Sequence, residues 1–262
     1  FIACGTSYFA CQTATYWFEK YLNLNANSYL ASEFRYKTYV KSKNTLSIFI
    51  SQSGETADTL AALKFAKKND SKIFSIVNNS ESSIARESHN FITIEAGPEI
   101  GVASTKAFTA QLSVLACLCL IAGRERKTIN SSNEQKLTEK LLEIPSNMSS
   151  VFNLVERVKK LSKQIVNAKS VLFLGRGHLF PIAMEGALKL KEISYIHAEG
   201  YASGEMKHGP IALVDDKVPV IVLAPKDSLF EKNISNMQEI LARGGKVILI
   251  TDTNGDKEID DK

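Results

Sequence analysis

Hydroxyl side chains are concentrated in the six-residue segment Ser51-Gln52-Ser53-Gly54-Glu55-Thr56. It follows an apolar run, Leu46 to Ile50, and precedes a helical pattern over residues 57–68. Hydroxyls, a glycine that lets the backbone approach closely, and the unpaired N–H groups of a helix N-terminus together suit a phosphate. Because the Gly-Lys-Ser/Thr ending of a P-loop is absent from this segment, the pattern predicts a small phosphorylated molecule rather than a nucleoside triphosphate. The alternative is an ordinary helix cap.

Three charged residues, Glu185, Lys189 and Glu192, recur at i, i+4 and i+7 within a helical pattern over about residues 180–195. This spacing places them on one helix face. A carboxylate beside an ammonium group can move a proton and offset developing charge. The alternative is a surface Glu–Lys ladder that contributes only about a few tenths of a kcal/mol.

Two polar stretches follow that helix, His197 to Tyr201 and Gly204 to Pro210, and we predict that they form a glycine-punctuated loop. His208 stands out because the charge of histidine can change near pH 7, so it can move protons during sugar ring opening. The alternative is a structural loop histidine.

Two further segments come directly before predicted helices. Cys4-Gly5-Thr6-Ser7 follows a short apolar run at the start of the chain, with a helix predicted over about residues 10–22. In Gly101 to Lys106, Ser104 is predicted to cap a helix that begins near Thr105, with the backbone of Val102 and Ala103 facing a crevice. Because ligands of open α/β sheets bind beyond the carboxyl ends of the strands, we expect these turns and the 51–56 segment to line one site.

Apolar runs alternate with helical patterns along the chain, and the order strand, glycine turn, helix, strand, helix, strand occurs twice. This alternation predicts an α/β protein with two similar open, mainly parallel sheets flanked by helices, flavodoxin-like or Rossmann-like in type. The predicted domains are residues 1–125, which would bind the phosphorylated molecule, 126–168 as a linker and connecting helix, and 169–262, which would carry the catalytic residues. Polar residues and Pro145 within 124–150 suggest the boundary.

Composition narrows the function classes. The chain has 262 residues, a net charge of +4 and 44% hydrophobic residues, typical of a globular protein without a nucleic-acid-binding basic surface. The most apolar segment, residues 112–122, is too short to cross a membrane and is predicted as a buried helix. The four cysteines show no zinc-ligand spacing, so we expect no metal site, and a cytoplasmic location. Because Phe1 opens a strand pattern and a polar run ends the chain, we expect a longer parent protein.

These segments together resemble the isomerase half of the glutamine–fructose-6-phosphate aminotransferase family, which consists of two sugar-isomerase (SIS) domains. The resemblance covers essentially the whole chain in the family's order. It implies conversion of fructose 6-phosphate and ammonia to glucosamine 6-phosphate, the first step toward UDP-N-acetylglucosamine, without a cofactor. It also implies a homodimer, a glutaminase domain elsewhere in the full-length chain, and UDP-N-acetylglucosamine as a feedback inhibitor.

The resemblance also implies roles for single residues. Glu192 is the base that moves a proton between C1 and C2, Lys189 assists it, and His208 from the neighbouring subunit assists ring opening. The sugar phosphate is held by nine residues: Thr6, Ser7, Ser51, Gln52, Ser53, Thr56, Val102, Ala103 and Ser104. The family's C-terminal tail, whose lysine contributes to ring opening, has no counterpart in these 262 residues.

Two other functions fit a phosphosugar site. One is a plain ketose–aldose phosphate isomerase without amination, and the other is a non-catalytic phosphosugar sensor. The joint presence of Glu192, Lys189 and His208 disfavours the sensor.

Overall fold

A computed structural model describes residues 1–38 and 44–260, and the chain divides into two compact units, residues 1–141 and 142–262. The strands of the first unit are β1 (Ile2–Ala3), β2 (Tyr29–Leu30), β3 (Leu46–Ser51), β4 (Lys72–Val77) and β5 (Asn90–Thr93). Its helices are α1 (Gly5–Leu22), α2 (Ala31–Phe34), α3 (Ala57–Lys68), α4 (Ser83–Glu87) and α5 (Lys106–Glu125). Helix α6 (Ser131–Val151) crosses the division.

The strands of the second unit are β6 (Ser170–Gly175), β7 (His197–Ala202), β8 (Pro219–Leu223) and β9 (Lys246–Ile250). Its helices are α7 (Val155–Ser162), α8 (Leu179–Ser194), α9 (Phe230–Leu241) and α10 (Thr253–Asp260). Short 3₁₀ segments span Phe152–Leu154, Ser203–His208 and Pro210–Leu213.

Both sheets are parallel throughout, with strand orders β2-β1-β3-β4-β5 and β7-β6-β8-β9. In each sheet the chain reverses its direction of strand addition beside the first strand, between β1 and β3 and between β6 and β8. Such a switch point leaves a crevice at the carboxyl ends of the two strands. The predicted fold class, two similar parallel sheets flanked by helices, is therefore confirmed.

The central strands are buried apolar runs, as expected of parallel strands covered on both faces. All but the first residue of β3 are buried, and the same holds for β6. In the first unit Phe49 packs with Leu63 of α3 and Ile73 of β4, and in the second Leu174 packs with Phe230 of α9. These cores fix the strand ends from which the polar turns emerge.

Several predicted elements differ from the structure. The polar stretch before Val151 is helical from Ser131, because Asn130 starts the helix: its Oδ1 accepts from the N–H of Asn133 at 2.9 Å. Pro145 lies inside this exposed helix rather than ending it. The boundaries at 125 and 168 remain a prediction.

The stretch 197–201, predicted as loop, is part of edge strand β7, which pairs in parallel with β6. Gly200 is needed there for close packing, since a Cβ at this position would lie 2.8 Å from Cα of Met184 in α8. The polar run that follows β9 is helical over α10, for which the sequence pattern predicts no element. Helix α1 begins at Gly5, five residues before its predicted start.

Among the residues that the structure describes, α5 is the one helix whose length and composition suit a membrane span. The helix has 20 residues and is therefore longer than its most apolar segment, residues 112–122, on which the prediction of a segment too short to cross a membrane rests. It packs along α1 through two hydrogen bonds: Nε2 of Gln111 donates to Oγ of Ser7 at 2.9 Å, and Sγ of Cys119 donates to the carbonyl of Trp17 at 3.6 Å. Only 33% of its most apolar window is buried, so the segment predicted as a buried helix is buried on the face that packs on α1 and exposed elsewhere.

Candidate active site

The turn after β3 is held by its own hydroxyls. Oγ of Ser51 lies 2.9 Å from Oγ1 of Thr56 and accepts the N–H of Gly54 at 3.1 Å. Oγ of Ser53 accepts the N–H of Glu55, also at 3.1 Å. Gly54 has φ +68°, a left-handed conformation that glycine adopts without strain. Residues 51–56 therefore form a compact turn at the carboxyl end of a central strand.

Helix α3 begins in this turn without a side-chain cap. Thr56 stands at the N-cap position, but its side chain makes no capping hydrogen bond. The first N–H group with a helical acceptor is that of Leu60, which donates to the carbonyl of Thr56 at 2.9 Å. The N–H groups before it project from the helix end, where the helix dipole also favours an anion. An ordinary helix cap would require a hydrogen bond from a backbone N–H of α3 to the side chain of Thr56, and this bond is not formed.

Glu55 directs its charge away from this helix end. Its Oε1 accepts the N–H of Ser83 in α4 at 2.7 Å, and this bond holds the pKa of the Glu55 carboxyl below its usual range. A lowered folded-state pKa contributes stability above the unfolded pKa, and that stability is lost as the pH falls through the folded value. The Glu55 carboxylate therefore stays ionised at neutral pH while it accepts a hydrogen bond from the first turn of α4.

The turn after β1 lies at the same sheet edge, since β1 and β3 are parallel neighbours with Ile2 opposite Phe49. Thr6 and Ser7 occupy the first turn of α1, which begins at Gly5. Ser7 is only 9% exposed and accepts a hydrogen bond from Gln111. The structure thus places Thr6 and Ser7 beside the predicted phosphate turn, at the switch point of the first sheet.

Asn78 is a residue that the sequence reasoning missed. It follows β4, and its N–H donates to the carbonyl of Gln52 at 3.1 Å. Its side-chain Nδ2 donates to the carbonyl of Gly97 at 2.7 Å, and its Oδ1 accepts the N–H of Ala96 at 3.0 Å. Asn78 therefore joins the phosphate turn to the loop that leads to α5. An asparagine directly after a buried strand was the available signal.

Glu99, also missed, organises the loop that carries Val102, Ala103 and Ser104. Its Oε1 accepts the N–H of Thr105 at 2.8 Å, and its Oε2 accepts the hydroxyl of Ser104 at 3.3 Å. The predicted cap at Ser104 is wrong, because Thr105 holds the N-cap position and Ser104 donates to Glu99 instead. Val102 is fully exposed and Ala103 and Ser104 are partly buried.

We expect Glu99→Ala to release this loop and raise the Kd of a bound sugar phosphate roughly tenfold, since two acceptor oxygens are lost. Glu99→Gln keeps one acceptor for the Thr105 N–H. Its loss of binding free energy should therefore be less than half of the loss in Glu99→Ala. Calorimetric titration with fructose 6-phosphate measures both variants. Equal affinity in Glu99→Ala and wild type would show that the loop takes no part in binding.

In the second unit, Glu185, Lys189 and Glu192 share one face of α8, as their spacing predicts. Nζ of Lys189 lies 2.5 Å from Oε2 of Glu192 and 3.5 Å from Oε1 of Glu185. The exposed side-chain fraction rises along the face, from 7% for Glu185 and 18% for Lys189 to 32% for Glu192. The lysine therefore neutralises a buried carboxylate while its other partner reaches solvent, which suits a proton-transfer base. The isolated surface-ladder alternative does not fit the burial of Glu185.

His208 ends the 3₁₀ segment after β7 and is exposed. Within the described residues it makes no hydrogen bond or ion pair with Lys189 or Glu192. Its neighbour Lys207 pairs with Glu239 of α9 at 2.6 Å, which anchors the segment. The resemblance assigns His208 to the site of a neighbouring subunit, and that assignment stays a prediction.

The second unit has a turn equivalent to residues 51–56, between β8 and α9, and carboxylates of the same unit occupy it. Oδ2 of Asp252 accepts the N–H of Lys226 at 2.6 Å, and Oδ1 of Asp227 accepts that of Leu229 at 2.8 Å. Asp252 also accepts the N–H of Gly255 in α10, and these backbone bonds hold the pKa of its carboxyl below the usual range. The two turns thus share a position in the fold but not their chemistry.

The SIS domain model matches residues 1–121 and 164–258, which include both sheets. The chain belongs to the SIS domain family. Within this SIS family, it is 57% identical over 97% of its length to glutamine–fructose-6-phosphate aminotransferase [isomerizing] of Rhizobium meliloti, and 56% identical over 98% to that of Bradyrhizobium diazoefficiens. The chain spans 42% of the length of each of these relatives.

Solved SIS structures agree with this assignment. The C-terminal domain of glucosamine-fructose-6-phosphate aminotransferase from Francisella tularensis matches with a TM-score of 0.96 and 46% identity, covering 98% of this chain and 73% of that one. A glucosamine-6-phosphate deaminase from Thermotoga maritima matches with a TM-score of 0.80 and 25% identity, over 97% of this chain and 75% of its own. The fold predicted from the sequence is therefore the fold of solved SIS proteins.

Proposed function

We propose that this chain is the isomerase part of a cytoplasmic glutamine–fructose-6-phosphate aminotransferase. Ammonia from a glutaminase domain of the full-length protein condenses with the C2 carbonyl of open-chain fructose 6-phosphate and releases water. The resulting imine isomerises through an enolamine to glucosamine 6-phosphate. The observation that carries the proposal is the 57% identity, over 97% of the chain, with relatives of that name.

The geometry supports separate roles for the two units, with substrate binding in the first and proton transfer in the second. The projecting N–H groups of α3 and the hydroxyls of Ser51, Ser53 and Thr56 suit the 6-phosphate, with Gln52 beside them. Thr6, Ser7 and the 102–104 loop lie on elements tied to that turn and would line the sugar. They orient the substrate and form no bonds with its carbon atoms.

Proton transfer falls to the α8 face. Glu192 removes a proton from C1 of the imine and returns one to C2, so that one carboxylate serves both steps. Lys189 lies 2.5 Å from that carboxylate, where its positive charge can offset the negative charge that develops as the proton moves. Glu185, beneath them, keeps the lysine in place.

The partner proposals follow from the resemblance. A homodimer would bring His208 of one subunit to the sugar of the other, where it assists ring opening. The absence of contact between His208 and the α8 face within the described residues of one chain is compatible with such an exchange. UDP-N-acetylglucosamine, the end product of the route, is proposed as an inhibitor of the full-length protein.

The function is tested with the full-length protein, fructose 6-phosphate and either glutamine or ammonium chloride. Glucosamine 6-phosphate is the expected product. Formation of glucose 6-phosphate without ammonia would instead identify a plain ketose–aldose isomerase. Binding of fructose 6-phosphate without any product would identify a sensor.

We expect the double substitution Ser53→Ala and Thr56→Ala to raise the Kd of fructose 6-phosphate at least about tenfold, because two hydroxyl donors to the phosphate are lost. Fructose without phosphate should bind equally weakly to variant and wild type. Ser149→Ala with Ser150→Ala provides the control, since both hydroxyls bond only the backbone of exposed α6. An unchanged Kd in the Ser53→Ala, Thr56→Ala variant would show that the 51–56 turn starts helix α3 but does not bind the phosphate.

A further inference from the structure

Helix α5 carries a buried amide, that of Gln111, where it packs on α1. Gln111 is 1% exposed, and the other buried residues of α5 are apolar or small: Ala107, Phe108, Leu115, Cys119 and Gly123. A glutamine at such a position must be desolvated, which destabilises the fold when one of its polar atoms lacks a partner. Oε1 of Gln111 has no hydrogen-bond partner among the described residues. A leucine or methionine would pack this seam without that cost.

The amide has one partner, and that partner belongs to the candidate site. Nε2 of Gln111 donates to Oγ of Ser7 at 2.9 Å, across 104 positions of the sequence. Ser7 lies in the first turn of α1, at the carboxyl end of β1, where the substrate crevice of a doubly wound sheet forms. The buried glutamine thus reaches the site through one hydroxyl.

This bond fixes the polarity of the Ser7 hydroxyl. A serine hydroxyl has one donor hydrogen and two acceptor lone pairs. The amide N–H takes one lone pair and leaves the O–H hydrogen free to donate. Since a ketose phosphate presents carbonyl and hydroxyl oxygens, a hydroxyl oriented to donate is matched to a lone pair on the sugar.

We propose that Gln111 is a positioning residue: it holds the Ser7 hydroxyl so that Ser7 donates a hydrogen bond to an oxygen of the bound sugar phosphate. The proposal rests on the proposed function, because it takes fructose 6-phosphate as the ligand. Gln111 itself does not touch the sugar, since its oxygen is buried in the helix seam.

The test is a double-mutant cycle on the Kd of fructose 6-phosphate, measured by calorimetric titration of the purified protein. Gln111→Met keeps the side-chain length and removes the amide. Gln111→Met and Ser7→Ala should each raise Kd roughly three- to tenfold, and the double variant should bind no worse than Ser7→Ala alone. Gln135→Met, on exposed α6, should leave Kd unchanged and controls for the substitution.

Gln111→Glu is the second variant, because it keeps the shape of the side chain and reverses the bond. Its carboxylate accepts the Ser7 O–H, so Kd should rise at least as much as in Gln111→Met, while an unfolding midpoint near that of wild type confirms folding. Wild-type affinity in either variant, or losses that multiply in the double variant, would overturn the proposal. Failure of both variants to fold would also overturn it, by giving Gln111 a structural role. Failure of the wild-type protein to bind fructose 6-phosphate would instead overturn the proposed function itself.

Discussion

Replacing Glu192 with glutamine is expected to lower the turnover of the full-length protein with fructose 6-phosphate and ammonia at least about a hundredfold, the usual loss on removing a general base. Glutamine keeps the size of the side chain but accepts no proton at neutral pH. Lys189 retains Glu185 as its partner at 3.5 Å, so the α8 face should keep its geometry. The Kd of fructose 6-phosphate should therefore change less than about threefold.

The α7 helix offers a matched control for this substitution. Glu156 pairs with Lys159 at 2.7 Å with a spacing of i, i+3, and both side chains are exposed. Glu156→Gln removes a similar ion pair without touching the candidate site and should leave turnover unchanged. Turnover of Glu192→Gln within tenfold of wild type would exclude Glu192 as the base that transfers the proton between C1 and C2.

Replacing Gly54 with alanine should disrupt the phosphate turn. A Cβ at this position would lie 2.0 Å from Oγ and 2.3 Å from Cβ of Ser82, and the residue has φ +68°. The left-handed conformation alone costs a non-glycine residue about 1–2 kcal/mol, and the overlap adds to this. We expect a lower unfolding midpoint and a loss of fructose 6-phosphate affinity larger than that of the 53/56 double variant.

Two further variants separate the cost of the left-handed backbone conformation from the cost of the overlap with Ser82. Gly244 also has a positive φ, +78°, but an added Cβ would meet nothing within 4 Å, so Gly244→Ala reports the conformational cost alone. Combining Gly54→Ala with Ser82→Gly removes the overlapping atoms and should recover part of the stability. Thermal unfolding compares all three. If Gly54→Ala is no less stable than Gly244→Ala, the close contact with Ser82 has no energetic importance.

Local sequence patterns were sufficient to predict the main strands and the turns that follow them. β3 and β6 are mostly apolar and buried, and the hydroxyl-rich turn after β3 contrasts with the strand before it. The spacing of Glu185, Lys189 and Glu192 is a property of a single helix, so their shared face could be predicted without knowledge of the fold.

Features that depend on distant partners could not be predicted in this way. Gln111 resembles any polar residue in an amphipathic helix until α5 packs on α1 and brings it to Ser7. Asn78 bonds backbone groups of another loop, and Glu99 bonds the N–H of Thr105 and the hydroxyl of Ser104 within its own loop, and neither pairing has a spacing pattern that the sequence reveals. β7 was missed because its polar, glycine-containing stretch forms a strand only through pairing with β6, and α6 because Asn130 starts a helix where a break was predicted.

The carboxylates in the second strand-end turn limit what the repeated fold can do. Asp252 and Asp227 are covalently part of the chain, so their local concentration at the N–H groups of Lys226 and Leu229 far exceeds that of any dissolved phosphate. A free sugar phosphate would have to displace a tethered competitor to occupy that turn. Within the described residues, the carboxylates of the second turn instead hold α10 and the segment after β8 together, so we expect a sugar phosphate to bind only at the first turn.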